Sequence, residues 1–391
     1  MEGTLRARRR SSGFLPILKW GLLAAIVALG ARRVVIQSRA LIGGPYPAAG
    51  DFRSRYIETQ AWFDGDDVYR LAGADYPPAT YVVLWPFTRP WSLPAARAVW
   101  CLTSLLSTAA LSLLFATALA PGVARTMASI LPWVASPTAI AMGVGQLGLS
   151  IVAAALGAVL LCRRAPSPMS LSIASLLLVF ALVKPSVGAP LALATLATPT
   201  GWVVAGLGTT LYAAATGFAC HLQPTSLSAC VTDWARNGLV WVNTGYGNAA
   251  TWAYRFGRSD WVLPLAALIL LAAVAWLWSA RAADAWTQIG VLACVARLWT
   301  YHYVADDVLI YLPMVALLRQ VTRMPAGERW PWSAPLVAAA LVLLLPTRWR
   351  DQGAWPVLGP AANTFALLGL LAALVLLERR GRSAAHQTVA L

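Results

Sequence analysis

Acidic, basic and hydroxyl side chains that could do chemistry collect in a few short stretches of the sequence. The first stretch contains Asp51, Arg53, Arg55 and Glu58, and it continues to Tyr76. A carboxylate can accept a proton from a reacting hydroxyl, whereas arginine and lysine stabilise negative charge on a leaving group. This mixture of acids and bases therefore suits acid–base chemistry on an anionic substrate.

Three further positions place polar side chains at the ends of apolar runs. Gln146 follows one run, Lys184 ends another, and His302 is followed by Asp306 and Asp307. Two interpretations are open for Lys184, which either extends to lipid headgroups or faces a ligand. The histidine and the two carboxylates would be costly to place in lipid, which favours a polar cavity for them.

The composition around these residues is that of a membrane protein. Of 391 residues, 59% are hydrophobic and 12% are charged, whereas a soluble domain carries about 25% charged residues. A soluble globular enzyme is therefore excluded. The net charge of +15 would suggest a nucleic-acid partner on a soluble protein. Here the basic residues flank apolar runs, as they do in membrane proteins, so no nucleic-acid partner is expected.

The apolar runs predict an all-α polytopic bundle, because lipid offers backbone groups no partner outside a helix or a closed barrel. Residues 1–391 then form a single integral membrane domain with two long polar segments, 31–94 and 220–260. We predict twelve spans at about 14–30, 95–119, 125–143, 146–162, 168–183, 187–199, 201–219, 261–279, 284–300, 304–318, 331–346 and 360–377.

The basic N terminus predicts the orientation. Arginines at positions 6 and 8–10 precede the first apolar run, which reads either as a cleaved signal peptide or, better, as an uncleaved first span. Alternation then places both termini in the cytoplasm and both long polar segments outside the cell membrane. Most basic residues in short loops fall on the predicted inner side, and the polar residues that could do chemistry fall on the outer face.

The five cysteines show no metal-ligand spacing. Cys220 and Cys230 lie close together in the second polar segment, and they could form a disulfide if that segment faces an oxidising compartment. The pairing is left open by the sequence.

The pattern in the first polar segment resembles that of the polyprenyl-phosphate-dependent glycosyltransferases of family 87, which are multi-span enzymes of the GT-C class and include mannosyltransferases of mycobacterial phosphatidylinositol mannoside synthesis. The first matching elements are Asp51-Phe52, Tyr56, Gly65, Tyr69, Tyr76-Pro77-Pro78 and Pro86. Later elements follow in the family's order over about residues 45–318: Gly145-Gln146, Lys184-Pro185, Tyr301-His302 and Asp306-Asp307. Glu58 is an extra acid, the C-terminal region is shorter, and the segment 220–260 is not matched.

The resemblance implies a GT-C-like bundle whose long outer loops form the active-site cavity. It implies transfer of a sugar, mannose in the first instance, from a polyprenyl-phosphate donor to a hydroxyl of a lipid or glycan acceptor, with inversion. The roles implied are Asp51 and His302 as catalytic groups, Lys184, Arg53 and Arg55 as ligands of the donor phosphate, and Gln146, Tyr76, Asp306 and Glu58 as substrate contacts. No metal and no cofactor are expected, and the partners are membrane lipids and the two substrates.

Three other functions fit parts of the sequence. A pentosyl donor such as arabinofuranose would need the same residue types. A multi-span transporter or lipid flippase would also have broken helices and buried charge, but it would show internal pseudo-symmetry, which this sequence lacks. A membrane scaffold would not need acids and bases to converge on one face.

Overall fold

The computed structural model describes residues 14–45, 47–70, 74–240, 247–344 and 358–389, and these ranges are helical with no strand among them. The arginines at positions 6 and 8–10, on which the predicted orientation depends, lie outside the described residues. So do Arg348, Arg350 and Asp351, which follow the eleventh predicted span.

Seventeen α-helices and five 3₁₀ turns make up the described residues. The helices are α1 Phe14–Gly43, α2 Gly50–Asp64, α3 Pro78–Thr88, α4 Leu93–Ala118, α5 Val123–Val134, α6 Ser136–Val144, α7 Gly148–Leu161, α8 Pro168–Ala181, α9 Pro185–Ala192, α10 Pro199–His221, α11 Leu227–Val240, α12 Ala249–Arg255, α13 Val262–Ser279, α14 Ala285–Leu298, α15 Tyr311–Arg323, α16 Arg329–Leu344 and α17 Leu358–Val389. The 3₁₀ turns are Val68–Arg70, Leu193–Ala197, Ser259–Trp261, Val304–Ile310 and Ala326–Glu328.

A helix lies at each predicted apolar run, and five helical stretches are long and apolar enough to cross a membrane. These are Leu93–Ala118, Val123–Val144, Pro199–His221, Ser259–Ser279 and Gly359–Ser383. The chain is therefore an all-helical protein of membrane character. Shorter apolar helices such as α7 and α14 have 14 residues each, which corresponds to roughly 21 Å against the ~30 Å of the hydrocarbon core. The number of twelve spans stays a prediction.

The long polar segments also contain helices, which the apolar pattern did not predict. α1 continues past residue 30 to Gly43, and α2 and α3 occupy much of the rest of the first segment. α2 buries a stripe with helical spacing, Phe52, Arg55, Thr59 and Trp62. The ring of Phe52 stacks on Trp100 at 5.4 Å, and this contact fixes α2 against α4.

Two arginines predicted to lie on the inner side, Arg319 and Arg382, contact the C-terminal ends of other helices. Arg319 pairs with Asp284 at 3.0 Å and also reaches a carbonyl at the end of α4. Arg382, near the end of α17, donates to the carbonyl of Ser279, the last residue of α13. Near the beginning of α17, by contrast, Asn363 contacts the loop that carries the predicted site. The site contact of Asn363 and the contact of Arg382 therefore lie at opposite ends of this helix.

Candidate active site

The beginning of α2 packs against the turn between α6 and α7. The backbone N–H of Ala49 donates to the carbonyl of Gly143 at 2.8 Å. Gly145 has a φ of +72°, and a Cβ added there would lie 2.5 Å from the Cβ of Phe52. Only glycine accepts this conformation and this closeness without strain. Gly145 therefore allows Gln146 to lie beside the first turn of α2.

Gln146 connects Asp51 to Tyr76. Its Oε1 accepts hydrogen bonds from the backbone N–H of Leu147 at 2.9 Å and from the hydroxyl of Tyr76 at 3.2 Å. Because both partners are donors, the amide orientation is fixed, and Nε2 donates to Oδ2 of Asp51 at 3.0 Å. The side chain of Gln146 thus holds one oxygen of Asp51 in place.

Asp51 combines an accessible carboxylate with a crowded surrounding. The residue is exposed to solvent, and its Oδ1 has no hydrogen-bond partner among the described residues. Desolvation by the surrounding protein atoms raises the pKa of Asp51, and the charges of Lys184 and Arg55 offset part of that effect. An exposed carboxylate with one unpaired oxygen and a raised pKa is suited to accept a proton.

Arg55 lies one helical turn after Asp51 and is enclosed by acids and a ring. Its guanidinium pairs with Glu58 at 2.7 Å and with Asp75 at 3.1 Å, and its Cζ lies 4.1 Å from the centre of the Tyr76 ring. The second oxygen of Asp75 accepts a hydrogen bond from the hydroxyl of Tyr301. The charge of Arg55 is therefore already satisfied by two carboxylates.

Glu58 is a buried acid of the site with a strongly raised pKa. Burial raises its pKa to about 7, although the charge of Arg55 and a hydrogen bond from the Tyr81 hydroxyl act in the opposite direction. Glu58 therefore changes its protonation state near neutral pH.

Lys184 and Asp306 form a buried ion pair across the site. Lys184 precedes Pro185, which occupies the first position of α9. Its Nζ lies 2.7 and 2.9 Å from the two carboxylate oxygens of Asp306. The exposed fractions of the two residues are 8% and 1%. Neither lies at the lipid surface, so the headgroup interpretation of Lys184 is not supported by its contacts.

His302 contacts the same carboxylate from the other side. Its Nδ1 lies 3.1 Å from Oδ2 of Asp306, and burial lowers the pKa of His302 despite this contact. The ring is therefore neutral at pH 7, and Nδ1 carries the proton that it donates to Asp306. The other nitrogen, Nε2, is buried without a hydrogen-bond partner among the described residues.

A second buried ion pair supports the loop that carries His302. Nε of Arg297 donates to Asp307 at 2.8 Å, and the amide of Asn363 donates to both oxygens of Asp307 at 3.0 and 3.1 Å. These contacts join α14, the 3₁₀ turn Val304–Ile310 and α17. Asn363 was not singled out by the sequence.

The structure brings together the predicted site residues with one exception. Eight of them contribute to a continuous set of contacts and close charges: Asp51, Arg55, Glu58, Tyr76, Gln146, Lys184, His302 and Asp306. Arg53 is exposed, and no contact with this set is found for it in the described part of the chain. Residues i and i+2 of a helix point in different directions, so Arg53 points away from the site.

Asp75 and Tyr301 belong to the site, although sequence analysis gave them no role. Their neighbours Tyr76 and His302 were both recognised. Each missed residue therefore stands immediately before a recognised one, and this adjacency was the available signal.

The described ranges contain no assembled metal site and no disulfide bond. No group of three or more His, Cys, Asp or Glu side chains is placed to hold a metal ion among the residues that the structure covers. Cys220 and Cys230 are buried free thiols, and the Sγ of Cys230 lies 3.1 Å from the hydroxyl oxygen of Thr225.

Comparison with known proteins adds no relative. No family model, no curated protein and no solved structure matches the chain.

Proposed function

We propose that the protein is a membrane glycosyltransferase that moves a sugar from a polyprenyl-phosphate donor to a hydroxyl of a lipid or glycan acceptor. One observation carries the proposal: Asp51 is the exposed carboxylate of the site, its Oδ1 has no hydrogen-bond partner among the described residues, and its pKa is raised. A base with these properties can take the proton of an acceptor hydroxyl.

The other carboxylates of the site are less suited to act as the base. Both oxygens of Asp306 are engaged by Lys184, and both oxygens of Asp75 accept hydrogen bonds. Glu58 is buried beneath Arg55 and Tyr81. Asp51 therefore remains as the carboxylate that a substrate hydroxyl can reach.

The proposed reaction is a single displacement at the anomeric carbon. The acceptor oxygen bonds to that carbon as its proton passes to Asp51, and the bond from the carbon to the phosphate oxygen breaks with its electron pair. The product has the inverted configuration, and the lipid phosphate leaves as an anion. The oxocarbenium-like transition state is the one that glycoside hydrolysis also passes through.

Lys184 is the best placed cation for the leaving phosphate. Two of its ammonium protons point to Asp306, and an ammonium group has three donors. The third proton can therefore meet a phosphate oxygen in a water-poor site, where such contacts are strong. Arg55 is enclosed by carboxylates and Arg53 points away, so neither is assigned this role.

The placement of the site favours an enzyme over a transporter. Asp51 lies in the first turn of α2, Gln146 lies between α6 and α7, and Lys184 immediately precedes α9. Transporters bind substrate near the membrane midplane between discontinuous spans. These site residues are instead at helix ends, on the side opposite to Arg319 and Arg382.

The deciding experiment uses purified protein in liposomes with radiolabelled polyprenyl-phosphate mannose and acceptor lipids. We expect Asp51→Asn to lower transfer by roughly 10²–10⁴-fold and to leave donor binding unchanged. Arg53→Gln is the matched control on the same helix, and we expect near-normal transfer. Transfer by Asp51→Asn at the normal rate would refute the assignment of the base.

A parallel reaction with polyprenyl-phosphate arabinose tests the runner-up donor. Transfer of the pentose alone would replace mannose by a pentosyl donor within the same mechanism. Movement of either lipid between leaflets without any glycosylated product would refute the transferase proposal in favour of a flippase.

A further inference from the structure

α11 is fixed to the candidate site along one of its faces. The indole Nε1 of Trp234 donates to the carbonyl of Asp75 at 3.1 Å. The amide of Asn237 donates to the carbonyls of Tyr69 at 2.7 Å and Ala74 at 2.9 Å. α11 is therefore attached to Tyr69, Ala74 and Asp75, the last of which belongs to the site.

Another face of α11 is apolar and exposed. Leu227, Val231, Ala235 and Leu239 are exposed at intervals of four residues, and Leu227 and Leu239 keep 53% and 45% of their surface accessible. Intervals of four residues place these side chains along one stripe of the helix.

Beside this stripe lies a polar one with the same spacing. Ser228, Thr232 and Arg236 are also exposed, and the exposed Val240 ends this stripe. A soluble protein rarely leaves an apolar stripe uncovered. An apolar stripe beside a polar stripe is typical of a helix at a membrane–water interface.

The connection to α10 places α11 close to a bilayer surface. α10, Pro199–His221, is one of the helices that can cross a membrane, and α11 begins after only residues 222–226. Five residues extend at most ~18 Å. Phe218 in the last turn of α10 and Trp261 just before α13 are both exposed, and exposed aromatic rings mark the interface at the ends of spans.

We propose that α11 lies on the bilayer surface, with Leu227, Val231 and Ala235 between the acyl chains. Ser228, Thr232 and Arg236 face headgroups and water in this arrangement. Helices of this type bury their apolar face by about 5–10 Å. Because Trp234 and Asn237 attach the same helix to Tyr69, Ala74 and Asp75, the lipid surface and the site share one element. This inference does not depend on the proposed reaction.

Spin labels on adjacent residues test the proposal in the full-length protein. Val231→Cys and Thr232→Cys are labelled with a nitroxide in liposomes of phosphatidylcholine and phosphatidylglycerol. The five native cysteines are buried, so the unsubstituted protein serves as the labelling control. We expect the ratio of collisions with oxygen to collisions with a water-soluble nickel complex to be several-fold higher at position 231 than at position 232.

Two results would overturn the inference. Equal access of the nickel complex to both positions would place the apolar stripe in water. Spin–spin broadening at position 231 that disappears on dilution with unlabelled protein would show that a second copy of the chain covers the stripe. Both positions are exposed, so neither label disturbs the packing that holds α11 in place.

Discussion

Breaking the Lys184–Asp306 pair should destabilise the folded chain strongly. Asp306→Asn removes the negative charge with little change in shape and leaves the ammonium of Lys184 buried. Lys184 is 8% exposed and Asp306 is 1% exposed, so both side chains are almost completely shielded from solvent. An uncompensated charge in such a place is the origin of the expected loss.

The size of the loss follows from the distance and the burial. Two unit charges 2.7 Å apart attract by roughly 6 kcal/mol at an effective dielectric constant of ~20. Desolvation offsets part of this attraction in the intact pair. We therefore expect Asp306→Asn to lower the free energy of unfolding by about 3–5 kcal/mol.

A double-mutant cycle separates the pair from its surroundings. Lys184→Met leaves the carboxylate of Asp306 with His302 as its remaining close partner, and it should cost a similar amount. The double variant has no buried charge to leave unpaired at these positions. It should therefore cost less than the sum of the single variants, by at least ~2 kcal/mol.

The assay is reversible unfolding in mixed micelles, followed by the fluorescence of the 19 tryptophans. Asp284→Asn is the control, because Asp284 pairs with Arg319 at 3.0 Å but the two side chains are 28% and 19% exposed. We expect that control to cost no more than ~1 kcal/mol. Equal losses in Asp306→Asn and Asp284→Asn, or simple additivity in the cycle, would show that the burial argument is wrong.

Three further predictions concern stability around the site. In the wild type, Glu58 has a pKa of about 7 against an ordinary value of 4.5, so the folded chain binds its proton more tightly than the unfolded chain does. Its contribution to stability should therefore fall as the pH rises from 4.5 to 7, by about 3 kcal/mol in total, and Glu58→Gln should flatten this part of the unfolding profile. Gly145→Ala should lower the free energy of unfolding by ~1–3 kcal/mol through its positive φ and the displacement of Phe52. The same unfolding assay should show the lower stability, and a transfer assay should show lower activity. Asn363→Leu removes two hydrogen bonds to a buried carboxylate and should lower the unfolding midpoint by an amount equivalent to ~1–3 kcal/mol, whereas an unchanged midpoint would contradict the support assigned to Asp307.

Part of the site could be predicted because three of its polar stretches stand at the ends of apolar helices. A polar side chain at such a place is costly unless it has a partner or faces a cavity, and this holds for Gln146, Lys184 and His302. The order of these elements along the chain resembles that of family 87, and this resemblance supplied the remaining predicted residues. The long-range partners could not be deduced in the same way, because Tyr301 and Asp75 are 226 residues apart.

The separation of Arg53 from the other predicted site residues has a different physical origin. Charged residues interrupt the apolar ones in the first polar segment, so its helices were not predicted. In α2 the buried face includes the paired residues Arg55 and Glu58, and these hide the hydrophobic periodicity. Once residues 50–64 are helical, Arg55 lies one turn from Asp51 and Arg53 points elsewhere.

The charge balance of the site limits how an anionic donor could bind under the proposed mechanism. Two cations face four carboxyl groups there: Arg55 and Lys184 with Asp51, Glu58, Asp75 and Asp306. An incoming phosphate adds negative charge, and this raises the pKa of every nearby carboxyl group. Glu58, with a pKa already at about 7, takes up a proton at the least cost. Asp51 must stay ionised to act as the base. Under the proposed mechanism, the state that can hold both the phosphate and the base therefore has Glu58 protonated and Asp51 ionised.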